Sequence, residues 1–211
     1  MSLSVLMKTA ATFLSLALLC TCSFAAPNIC RSYADDLDAM LHADRAIREG
    51  ISYDALPVGK VKESELPTVF QQMAIVDRVN TRRLKQFVHA CGWPRKSIHG
   101  ERATGAAWLL AQHSEPDAQR GFLPFLMTAV NAGEASPSDL AYLTDRIAAH
   151  DGRPQLYGTQ MNQKNPCEFE FEPLDDRVKV NERRKSIGMP SLEEYELMFR
   201  EYLSTRGCSA K

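Results

Sequence analysis

In residues 101–114, ERATGAAWLLAQHS, two leading charges give way to a run of alanine and leucine that carries none. Both residue types favour helix, and a helix with no charged face has no side to offer water, so this segment is expected to be a helix buried on most sides. Such a helix needs others around it, and the flanking sequence supplies them. Upstream, a helix from about Leu66 carries the apolar stripe Val69, Met73, Val76, Leu84, Phe87 and Val88. It ends at Cys91-Gly92-Trp93-Pro94, where glycine permits a cap and proline cannot continue the helix. Earlier still, Ser32 with Asp35 three residues on opens a helix along Leu37, Met40, Leu41 and Ile47, stopped by Gly50. Ser52 to Val61, with Pro57 and Gly59, reads as a connecting loop.

Downstream, Pro116 begins a helix to about Ala132, with Gly121 and Pro124 making its start irregular. Ser136-Pro137-Ser138-Asp139 joins a capping serine, a first-turn proline and a carboxylate at the third position. That helix runs through Leu140, Leu143 and Ile147 to about Ala149, before Asp151-Gly152. The character then changes. Gln155 to Gln160 lacks helical periodicity, Asn162 to Pro166 is turn-like, and Cys167 to Glu172 alternates with period two, which together suggest a β-hairpin. After Pro173 helix resumes, and Ser191-Leu192-Glu193-Glu194 opens the last one with a capping box. Tyr195, Met198, Phe199, Tyr202 and Leu203 form its apolar stripe. There is no internal repeat. The expected fold is mainly α: a single compact multi-helix domain over 26–211, with a small β-hairpin near the C-terminal third.

Lys8 is the only charge before Arg31, followed by an apolar run from Ala10 to Leu19 and by Ser23-Phe24-Ala25. This is the pattern of an export signal over 1–25 with cleavage near Ala25, and its apolar core is shorter than the roughly 20 residues a membrane span needs. A soluble periplasmic or secreted chain is expected. Cys20 and Cys22 raise lipoprotein processing as a minor alternative, against which Leu19 and Thr21 stand where small residues are required. Lys and Arg total 25 against 26 Asp and Glu, without a basic block, which argues against nucleic acid as a partner. No later stretch is apolar enough to span a membrane. Cys30, Cys91, Cys167 and Cys208 follow the signal, and an even count in an oxidising compartment suggests two disulfides with three pairings open.

Polar residues concentrate in three places. His113 follows Leu109 and Leu110 by one helical turn and so lies on an apolar face, either as a satisfied buried imidazole or as a proton-transfer group. For the second role a carboxylate must fix its tautomer, and Asp145 is the candidate by chain context. Arg146 either complements a helix C-terminus or clamps a carboxylate or phosphate. Gln155, Tyr157, Thr159 and Gln160 offer hydrogen-bonding groups that need partners or a ligand, as do Gln112 and Gln119. Trp93 beside Pro94 reads as a core anchor and stays among the ligand-binding candidates. His42, His89, His99 and His150 lack metal-ligand spacing, no CxxC pattern is present, and neither metal nor cofactor is expected.

Asn80 with Arg83-Leu84, Gly92-Trp93-Pro94, Gly100, Trp108, Gln112-His113, Gln119, Leu143-Thr144-Asp145-Arg146 and Gln155 to Gln160 together resemble a bacterial family of domains of unknown function. Arg183-Arg184, Gly188, Pro190 and Tyr195 extend the resemblance, giving a family-like core of about 70–200. The resemblance implies that His113, Asp145, Arg146 and Gln160 belong to the family's pattern. The cysteines lie outside it, which favours a structural role for them. Three readings follow: an enzyme acting on a small molecule or peptide, a binding domain for a polar small molecule or protein, and a buried polar network that specifies the fold.

Overall fold

The alanine-rich segment lies at the centre of a helical assembly. The computed structural model describes residues 28–49, 67–165, 167–205 and 208. The expected export signal and the loop 52–61 lie outside them. Seven α-helices and one two-stranded sheet occur among the described residues. The helices α1 (Tyr33–Arg48), α2 (Thr68–Cys91), α3 (Lys96–Gln112), α4 (Pro116–Asn131) and α5 (Pro137–His150) come first. Strands β1 (Met161–Asn165) and β2 (Glu168–Phe171) follow, then α6 (Arg177–Ser186) and α7 (Leu192–Thr205). The fold is mainly α, as expected.

α3 packs against α1, α2, α4 and α5 and buries Ala103, Ala106, Ala107, Leu110 and Ala111. Its alanines let neighbouring backbones approach, so larger side chains from those helices fill the space between them. Leu84, Phe87, Phe122 and Leu126 are each at most 2% exposed, and burying such a side chain is worth roughly 1.5–3 kcal/mol. α3 starts five residues earlier than the sequence suggests. Gly100, at φ 81 and ψ 163, separates the first turn from the rest by a kink, a conformation for which only glycine is suited.

The disulfides are Cys30–Cys91 and Cys167–Cys208, with Cα separations of 5.7 and 5.4 Å. The first ties the 3-10 turn Asn28–Arg31 to the end of α2, and the second ties the hairpin to the chain beyond α7. Closing loops of these lengths restricts the unfolded chain by about 4 kcal/mol each.

The hairpin differs from the expectation. β1 and β2 are antiparallel, with Met161 opposite Phe171 and Gln163 opposite Phe169, so residues read as a turn form the first strand. Gln155 to Gln160 contribute only an isolated bridge at Gln155, because their amides are engaged by two side chains described below. The Ser191 capping box forms in both directions, Glu194 N to Ser191 Oγ at 3.2 Å and Ser191 N to Glu194 Oε2 at 2.7 Å. Ser32 and Ser136 occupy N-cap positions without a side-chain capping bond. On α7 the expected apolar stripe is only partly covered: Leu203 is 8% exposed, whereas Met198 and Tyr202 are more than half exposed. Among the described residues no helix is long and apolar enough to cross a membrane.

Candidate functional site

Three helices bring four charged or titratable side chains together. α3 ends at Gln112, and His113 is its C-cap residue. On α1, Asp44 follows Leu37, Met40 and Leu41 on the buried face, and Arg48 lies one turn beyond it. α2 contributes Asp77. The Nδ1 atom of His113 is 2.8 Å from Oδ1 of Asp44, which Arg48 NH1 also reaches at 2.7 Å. The other arm of Arg48 is bidentate on Asp77, at 2.7 and 2.8 Å. Asp44 is 1% exposed and the His113 side chain 23%.

These positions set the chemistry. A carboxylate only accepts, so the Nδ1 atom of His113 carries the hydrogen of their shared bond. In the neutral ring Nε2 is then the bare nitrogen, and it has no hydrogen-bond partner among the described residues. Oδ2 of Asp44 is buried without a partner. Burial pushes the Asp77 carboxyl up, opposed by the hydrogen bond and the charge of Arg48. Ligand atoms of Asp44, Asp77 and His113 lie within 4.8 Å of one another. They could hold a divalent cation only with Arg48 moved aside, since its guanidinium occupies both carboxylates.

A groove of about 430 Å³ is lined by Arg78, Thr81, Arg82 and Glu115. It adjoins Asp77 along α2 and Ser114 after His113, and Thr81 donates to Ser114 Oγ at 2.9 Å. A larger cavity, about 590 Å³, lies between the hairpin and α7 against Phe169, Phe171, Phe199 and Leu203. It is remote in sequence from the histidine cluster and contains no histidine.

Asp145 is not the partner of His113. It is fully buried and accepts from the amides of Leu156, Tyr157 and Thr159 at 2.8, 3.1 and 3.0 Å, and from Thr159 Oγ1 at 3.1 Å. Burial pushes its carboxyl up, while those hydrogen bonds pull it down. It holds the loop after α5. Gln155, also fully buried, donates to the carbonyls of Gln160 and Glu172 at 2.9 Å each and accepts from Gln160 N at 2.7 Å. The Gln160 amide donates to Thr159 Oγ1 at 3.0 Å, and the Tyr157 carbonyl accepts from Arg184 at 2.7 Å. Three of the predicted ligand-binding residues, Gln155, Thr159 and Gln160, thus hold one another in place, and Tyr157 is held by Asp145 and Arg184.

Trp93 is 4% exposed, edge-on to Phe122, with Nε1 unpartnered. Gln119 donates to the carbonyls of Gln112 and Ser114 at the end of α3, at 3.0 and 2.8 Å. Gln112 is 4% exposed, and neither atom of its amide has a partner. Arg146 keeps Nε buried and unpartnered. Sequence reasoning missed Asp44, Arg48, Asp77 and the buried Arg184. Two signals were available: Asp44 falls in an apolar helical stripe, and Arg48 follows it at the i,i+4 spacing of an ion pair.

Residues 32–205, which include every residue of both clusters, match the model of a family of unknown function, DUF6624. The chain belongs to that family. No curated protein and no solved structure matches it.

Proposed function

We propose that the chain is an exported enzyme acting on a polar small molecule or peptide, with His113 as its general acid or base. The observation that carries this reading is an imidazole held through Nδ1 by a buried carboxylate while Nε2 has no partner among the described residues. Nε2 would take a proton from a bound substrate and return it to the leaving group. Asp44 would keep the ring in one tautomer and stabilise its charged form, and Arg48 would hold both carboxylates in position. Asp77 sits one residue from the groove-lining Arg78. Arg78, Arg82 and Glu115 all line the groove, a mixed-charge lining that suits a zwitterionic substrate. Export is supported by the leader pattern and by two disulfides, which persist in oxidising compartments.

The competing reading makes the cluster a structural ion-pair network, and the complete pairing of Asp77 by Arg48 favours it. The two separate in one experiment. Wild-type and His113→Ala protein are incubated with pooled polar metabolites and short peptides, and products are followed by mass spectrometry. Loss of a product by roughly 10²–10⁴-fold in a folded variant supports proton transfer. Product formation unchanged by the substitution rejects it.

A further inference from the structure

α4 runs antiparallel to two helices. At the start of α3, Lys96 N and Ser97 Oγ hold Glu134, just beyond the end of α4, at 3.0 and 2.7 Å. At the other end Gln119 caps α3, and Arg120 pairs with Asp151 after α5. α3 and α5 are therefore parallel. They meet at Trp108, whose Nε1 donates to the Asp139 carbonyl at 3.1 Å and whose ring is edge-on to Tyr142 at 5.9 Å. One turn further, about 6 Å along each axis, the same two stripes present Gln112 and Arg146.

Both residues leave buried polar atoms unpartnered. Gln112 is 4% exposed with both amide atoms unpartnered. Arg146 has Nε buried, and no carboxylate pairs with it among the described residues. Its neighbour Asp145 is taken by backbone amides. A second guanidinium is buried against Tyr195 of α7. Arg184 is fully buried, lies 5.0 Å over the Tyr195 ring and bonds only the carbonyls of Pro190, Tyr157 and Gly158, leaving NH2 unpartnered. A half-buried guanidinium with no carboxylate partner, and a buried amide with none, are costly unless something satisfies them.

We propose that the seam between α3 and α5 binds a small molecule through an oxyanion, a carboxylate or a phosphate, with Arg146 and Gln112 as its donors. Arg146 and Tyr142 are only partly buried and provide the way in. A planar guanidinium fits either oxyanion through two parallel hydrogen bonds. This rests on different residues from the His113 reading and stands or falls without it.

The test is binding of sodium phosphate and of sodium acetate to the full chain, by calorimetry and thermal shift against sodium chloride at equal ionic strength. At least one anion is expected to bind and raise the melting temperature, and which one does so identifies the oxyanion. Arg146→Met should weaken binding by roughly tenfold to a hundredfold. In anion-free buffer it should melt no lower than wild type, because it removes an uncompensated charge and keeps the apolar stem. Gln112→Leu is the second variant, expected to weaken binding while staying folded. The proposal is overturned if neither anion binds, if Arg146→Met binds as wild type does, or if that variant is destabilised in anion-free buffer as the loss of an internal ion pair would require.

Discussion

Oδ1 of Asp44 lies 2.8 Å from Nδ1 of His113 and 2.7 Å from Arg48 NH1, so one buried oxygen is shared by an imidazole and a guanidinium. The division of labour follows from exposure. Asp44 and Arg48 are anchored inside the helical interface, and His113 reaches outward from the end of α3.

That arrangement predicts a split between stability and chemistry. Arg48→Met leaves the Asp77 carboxylate unpaired and Asp44 with His113 alone, in partly buried surroundings, and should cost about 3–5 kcal/mol in urea unfolding. His113→Ala leaves the Arg48 pairs intact and should cost about 1 kcal/mol. Equal losses would mean that His113 is as structural as Arg48.

For Asp145 the expectation is purely structural. Asp145→Asn replaces an acceptor facing four donors with a group that must turn one N–H toward them. Stability should fall by about 2–4 kcal/mol. Hydrogen exchange should accelerate at the amides of Leu156, Tyr157 and Thr159. Retained protection there would contradict the assignment.

Gly158 has φ +64, and a Cβ built on it would lie 2.6 Å from Leu192 Cδ2 and 3.0 Å from Leu174 Cδ2. Gly158→Ala combines left-handed strain with a core clash and should cost about 2–4 kcal/mol. The check is chemical unfolding with an unchanged denaturant dependence.

Much of the fold was legible because helical periodicity is local. The charge-free run at 103–112, the Ser136-Pro137 start and the Ser191 capping box all lie where they were read. β1 was not legible: Met161 to Asn165 is polar and turn-like, and only pairing with β2 makes it a strand. At the site, His113 was visible as a polar residue on an apolar face, but its partner was assigned to the wrong helix. Asp145 looked suitable by its chain context. Its oxygens are consumed by the loop that follows it, whereas Asp44 reaches His113 through the packing of α1 on α3, which no local pattern encodes.

Burial pushes the Asp139 carboxyl up to about 6, well above the unfolded value of about 3.9. A raised folded value means that the native state holds this proton more tightly. The stabilisation is fully present below about pH 4 and is lost as pH rises through about 6. Its place in the first turn of α5 opposes the shift, since a helix N-terminus favours the carboxylate. Asp139→Asn should flatten the dependence of melting temperature on pH over that window. At pH 7 it should stabilise by about 1 kcal/mol, less than the whole shift because the side chain is partly exposed.

The central claim is that Asp44 fixes His113 with its proton on Nδ1 and a free Nε2. Long-range proton–nitrogen correlation spectra of the imidazole ring, recorded on the alkaline side of its titration, report this directly. The wild type is expected to show the Nδ1–H tautomer, and Asp44→Asn a shift toward the usual Nε2–H form. A wild-type ring already protonated on Nε2, or one unaffected by the substitution, would contradict it.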